Sequence, residues 1–295
     1  MADKLYKYLD TIGGLAMLYN KTLQFTNATQ MNDPFECHPV LVDFPPDRLG
    51  LYHGIPADFY SKMVYQKGLN YRDRTYICSL TKVYDSILMW SYYNNHRGVC
   101  IGVNMEKVRP YLKNIMALIV GCFELEVVYR DNIADFTLLD DAVDFLQYQF
   151  STKAKEWQHE QEVRLISYEP SPMYMRLSPG QNDKEGPIDR KEERAYFEIG
   201  SECFESLYLG LNISRKDKDN IIKIARECNP NIKIYQMTID PRALKLGEQM
   251  IEQKICQELP TYLNRNSRRV WRPPCGSRPT NCVVLSSRQN TSTWC

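Results

Sequence analysis

The chain has 295 residues, 43% of them apolar, which suffices to bury a full core in one large domain or two small ones. Lys and Arg number 37 against 36 for Asp and Glu, so the chain as a whole lacks the basic excess of a protein held on nucleic acid mainly through phosphates. Neither the start, MADKLYKYLD, nor the longest apolar stretch, residues 115–123, approaches a signal sequence or the roughly 20 residues that cross a bilayer, so the expectation is a cytoplasmic protein without membrane contact.

In chain order, KLYKYLD reads as a strand, IGGLAMLYNKT as a helix and LQFTNA as a second strand. In MNDPFECHP, Asp33 before Pro34 is pushed away from helix, so residues 32–36 should form an ordered turn with Phe35 buried as its anchor. Residues 44–54, rich in Pro and Gly, read as loop, and residues 57–67 as a weak helix. TYICSLT is a strand, ILMWSYYNNH a helix or turn, and GVCIGVN a near-continuous apolar strand.

Residues 123–129 alternate as a strand, and residues 140–158 carry apolar side chains near helical spacing before EVRLISYE becomes extended. Residues 178–194 are polar and aperiodic, an exposed loop and a candidate lid. YFEIG and SLYLG follow as strands, residues 217–228 as a helix, and NIKIYQMTID as the last strand. One α+β domain over residues 1–263 is expected. Residues 264–295 hold six arginines and no acid, too polar to build a core. They read as a disordered or non-native extension in preference to a basic arm for nucleic acid or a partner.

The ten cysteines show no CxxC pair and read as reduced thiols packing as small hydrophobes. The four histidines lack paired metal-ligand spacing, and neither GxGxxG nor a phosphate-loop signature is present, so no metal site and no common nucleotide-binding motif are expected. Two constellations remain. In KAKEWQHEQEVRLI, an extended chain after His159 would put Glu160, Glu162 and Arg164 on one face; neighbouring carboxylates suit a general base or a cation-stabilising group, or else an ion-pair ladder with Arg164. Glu160, nearer the helix end, should be the more solvated, which makes Glu162 the favoured working carboxylate. In SLTKVYDSILMWSYYNNHRG, Ser79 offers a hydroxyl and Trp90 and Tyr93 an aromatic wall, with His96 entering the turn at Gly98; the competing reading makes both aromatics core residues and His96 a cap.

The order LYKYLD, LQFTNATQMNDPFE, SLTKVYDSILMWSYYNNHRGVCIGV, KAKEWQHEQEVRLI and SLYLGLNIS, over about residues 4–240, resembles the bacterial domain-of-unknown-function family numbered 2971. Members of that family look like distant relatives of the ADP-ribosyltransferases, some of them in phage-defence settings. The resemblance implies two small bent antiparallel or mixed sheets with flanking helices, holding NAD as substrate in the cleft between them, and a macromolecular acceptor, protein or nucleic acid. The places it assigns to NAD contacts fall on Lys7, Tyr8, Ser79, Trp90, Tyr93 and His96, and the catalytic carboxylate on Glu162 or Glu160. Lys7 departs from the Arg or His of active transferases and loses the planar fork that grips phosphate. A binding module with the same fold and no reaction is the competing implication.

Overall fold

Period-two alternation sets the first strand, β1 (Lys4–Leu9): Leu5 points into one core, while Tyr6 and Tyr8 point into another on the opposite face. The computed structural model describes residues 3–43, 51–52, 55–116, 122–135, 142–168 and 194–252. Asp10 starts the helix Thr11–Asn20 by accepting from the Gly13 amide at 2.6 Å, and Lys21, at φ 54°, ends it. Then come β2 (Thr22–Asn27), β3 (Val42–Asp43), β4 (Leu51–Tyr52), β5 (Ile55–Pro56), the helix Ala57–Asp73 and β6 (Thr75–Thr81). The helix Ile87–Asn94, β7 (Val99–Asn104) and the helix Met105–Met116 precede β8 (Cys122–Glu126), β9 (Val128–Arg130) and β10 (Ala134–Asp135). The helix Ala142–Ser151 leads into β11 (Thr152–Ala154), a 3-10 helix Lys155–Glu160 and β12 (Glu162–Tyr168). The rest comprises β13 (Arg194–Glu198), β14 (Phe204–Leu209), the helix Arg215–Cys228, β15 (Lys233–Ile239) and β16 (Leu246–Met250).

The fold is α+β, with a mixed sheet flanked by helices. Ten strands form one sheet in the order β13-β2-β6-β1-β7-β14-β15-β16, with β12 branching from β6 and β8 from β12; β14 and β15 run parallel and the other pairs antiparallel. The two separate sheets expected from the resemblance are thus joined, and the joint is β6. β12 pairs along the whole of β6, from Thr75 to Thr81, and fills one of its edges. β1 and β2 share the other edge: β2 pairs at Tyr76 and Ile77, and β1 at Thr81. Two strands cannot both continue along one edge, so β1 and β2 diverge and leave a slot in the sheet between them.

One face packs under the helices Thr11–Asn20, Met105–Met116 and Arg215–Cys228, where Leu18, Val108 and Ile221 meet Leu5, Leu165 and Leu207. The other face is covered by Trp90 on Tyr6 and Tyr8 and by Phe150 on Ile77 and Ile166, while Phe145 and Tyr148 form a separate cluster with Leu41 and Val42. Among the described residues no helix is long and apolar enough to cross a membrane. The described cysteines are unpaired and buried.

Four sequence expectations change. The helix expected over residues 140–158 stops at Ser151, because residues 152–154 pair in parallel with β9. The helix expected over residues 57–67 runs on to Asp73, and β15 is followed by one more strand, β16. Phe35 is 54% exposed and no anchor; the turn is held instead by Asp33, whose Oδ1 accepts from the Phe35 amide at 2.9 Å. Most of the candidate lid and the whole of residues 264–295 lie outside the described residues.

Candidate functional site

The slot between β1 and β2 opens into a cavity of about 180 Å³ lined by Lys7, Tyr8, Ser79, Tyr93, Glu160 and Glu162 together with Glu36 and Lys153. Lys7 reaches across to the Ser79 carbonyl and donates to it at 2.9 Å. A second cavity of about 410 Å³ shares Lys7, Tyr8 and Tyr93 and continues along the helix Thr11–Asn20 to Gln24, Arg194 and Tyr196. The two adjoin at these three residues, a smaller charged inner cavity beside a larger outer one.

The inner end is a buried cluster of three carboxylates and two cations. Lys153 Nζ lies 2.6 Å from Glu160, 3.3 Å from Glu162 and 3.7 Å from Glu36. The ammonium thus sits among three carboxylates. Arg164, fully buried, grips Glu162 with a two-point fork at 3.0 Å for each contact, and its Nη2 also donates to Glu36. Nη1 donates to the Phe150 carbonyl at 2.8 Å. Tyr93 donates its hydroxyl to Glu160 at 2.6 Å, and Thr81 donates to the Glu160 carbonyl at 2.6 Å.

The two glutamates converge for a reason other than strand alternation. Glu160 closes a 3-10 helix, Gln161 turns left-handed at φ 44°, and only Glu162 begins β12. The kink folds both side chains onto Lys153. The expectation that Glu160 is the more solvated is therefore wrong: both are buried, at 2% and 4% exposure.

These environments separate the carboxyls electrostatically. Burial pushes Glu162 up, but Arg164 and Lys153 more than offset it and hold the carboxyl down to about 2. Burial pushes Glu36 above the ordinary carboxylate value, against the opposing pull of Arg164 and Lys153. Burial and the Glu160 charge push the Tyr93 phenol up, so it stays a donor. Burial disfavours the charged Lys153, yet the surrounding glutamates raise its pKa overall and keep it an ammonium.

Six of the eight sequence candidates, Lys7, Tyr8, Ser79, Tyr93, Glu160 and Glu162, line this cavity, and Trp90 and His96 do not. Trp90 is fully buried, donates Nε1 to the Tyr84 carbonyl at 2.8 Å and stands edge-on to Tyr8, so it supports the wall from behind. His96 sits at φ 57° in the turn before β7; its carbonyl accepts from the Asn212 amide at 2.7 Å and its Nε2 lies 2.9 Å from Ser91 Oγ. It fastens a turn. Lys153 escaped the sequence reading because residues 140–158 looked helical, and Glu36 because its partner Arg164 is 128 residues away.

Residues 89–165 match the model of a family described as a protein of unknown function, DUF2971. Over that segment the chain is similar to this family. The matched stretch carries Tyr93, Lys153, Glu160, Glu162 and Arg164, most of the charged inner end. No curated protein and no solved structure shows significant similarity to the chain.

Proposed function

We propose that the two adjoining cavities bind NAD and that the protein is an ADP-ribosyltransferase, or an NAD glycohydrolase where water accepts, acting on a macromolecule in bacterial stress or phage defence. The observation that carries this reading is the convergence of Glu160 and Glu162 at the inner end of a slot whose other wall presents Lys7. Cleaving the nicotinamide bond leaves an oxocarbenium-like ribose, and a carboxylate fixed in a buried, preorganised setting stabilises the developing positive charge. Glu162, held ionised by Arg164 and Lys153, is such a carboxylate. Lys7 supplies positive charge for a phosphate, while Tyr8 and Tyr93 line both cavities. A charged inner pocket beside a larger outer one suits a ligand with a reactive end and an extended remainder.

A second reading rests on an observation of its own: both oxygens of Glu162 already accept from Arg164, and one of them from Lys153 as well. A carboxylate so engaged can be structural, leaving a nucleotide- or protein-binding module that performs no reaction. Incubating the purified protein with NAD and following nicotinamide release separates the two. Turnover that falls roughly a hundredfold or more in Glu162→Gln supports the transferase reading, as for loss of one preorganised electrostatic group; binding of NAD without release supports the module.

A further inference from the structure

Glu36 lies outside the matched residues 89–165 and the resemblance assigns it no role, yet the fold invests heavily in placing it. Asp33 nucleates the turn through its contact to the Phe35 amide, and the Glu36 amide closes it by donating to the Asp33 carbonyl at 3.0 Å. Cys37 then adopts φ 55°, and its carbonyl is clamped by the fully buried Gln149, whose Nε2 donates at 2.7 Å. A positive φ at a non-glycine residue costs conformational energy and persists where the surroundings enforce it. The outcome is a carboxyl fixed on the cavity wall, facing Glu162 across the same Arg164 nitrogen.

Counting charge at the inner end gives three carboxyls against Lys153 and Arg164. Such an arrangement favours one proton among the carboxyls, and the two that share Arg164 are driven apart: Glu162 downward, Glu36 upward. Two carboxyls in one pocket with separated acidities divide into a permanently charged group and a proton carrier.

Resting on the transferase or glycohydrolase reading above, we infer that Glu36 is the proton acceptor for the incoming nucleophile. The C1′–N bond breaks and its electron pair goes to the pyridinium nitrogen, releasing neutral nicotinamide. The hydroxyl oxygen of water or of the acceptor bonds to C1′, and its proton passes to Glu36 and then to solvent. Glu162 keeps its charge throughout and stabilises the ribosyl cation. A carboxyl whose pKa is raised above the ordinary value is the better base for this step, since proton transfer is most effective when the base titrates nearer the working pH.

The test is the pH profile of nicotinamide release from NAD by the full chain, with Glu36→Gln and Glu36→Ala alongside and NAD affinity measured by calorimetry. The parent rate should rise with pH through a single acid limb as Glu36 ionises. Glu36→Gln should lose that limb and at least about a hundredfold in rate while holding NAD within a few-fold of the parent affinity, and added formate should restore part of the rate in Glu36→Ala. A structural role would not respond to formate. If Glu36→Gln retains both rate and limb, the assignment is overturned while the transferase reading stands; if the parent releases no nicotinamide, both fall. Should the variants fail to fold, Glu36→Asp serves: a slower enzyme with the limb displaced supports the role, and a parent with no acid limb refutes it.

Discussion

Replacing Arg164 with Met removes the guanidinium on which Glu162 and Glu36 both depend and leaves two buried carboxylates with only Lys153 for compensation. Breaking a buried ion pair from one side costs about 3–5 kcal/mol, because the abandoned charge stays out of water. For a domain of this size each kcal/mol moves Tm by about 2–4 °C, so Arg164→Met should melt about 6–20 °C below the parent. The deficit should also depend on pH in a defined sense. Glu162 is depressed to about 2 from an ordinary 4.5, so its contribution to the parent is complete above about pH 4.5 and is lost as pH falls through about 2. Glu36 works the other way: its raised pKa favours the folded state at low pH, and that contribution is lost as pH rises past 4.5 through the raised value. Without Arg164 both carboxylates resist ionisation more strongly, so the gap between parent and variant should be widest near neutrality and close as both protonate. Urea unfolding followed by circular dichroism at several pH values between 3 and 8 reads it. A loss under about 1 kcal/mol, or a gap that does not change with pH, would refute the buried network.

Phe35→Ala should cost under about 1 kcal/mol in the same urea assay, since the ring is 54% exposed; a loss of about 3–5 kcal/mol would mean that it packs. Trp90→Ala should instead lower stability by about 3–5 kcal/mol, because the indole is fully buried on Tyr8 and donates to the Tyr84 carbonyl. Tyr93→Phe removes the hydroxyl that Glu160 accepts and should cost about 1 kcal/mol; unchanged melting would show that the contact contributes nothing net.

The strand positions were legible wherever period-two alternation met a turn signal, as in LYKYLD, TYICSLT and EVRLISYE, because local pattern and tertiary burial agree there. Residues 152–154 were misread because their local spacing is helical, whereas the pairing with β9, set by residues more than twenty positions away, overrides it. Glu160, Glu162, Lys7 and Ser79 could be singled out because acidic, basic and hydroxyl side chains at strand ends are visible in sequence, and all four line one cavity. Their shared cavity was not visible: it depends on β1 and β2 competing for one edge of β6. Trp90 stays open in the sequence between a ligand wall and a core residue, because aromatic composition does not distinguish a lining ring from the one behind it; the structure places it in the core. Glu36 could be placed at a rim by the Asn-Asp-Pro turn, but its pairing with Arg164 is a long-range contact that no local pattern encodes.

The central claim is that NAD lies in the slot between β1 and β2 with its nicotinamide ribose against the glutamates. A crystal structure of Glu162→Gln grown with saturating NAD tests it most directly. The account predicts density for the nicotinamide riboside at the inner end beside residues 160 and 162, the phosphates near Lys7, and the adenosine in the outer cavity towards Arg194 and Tyr196. Density for NAD elsewhere on the protein, or an empty slot at saturating NAD, would contradict it.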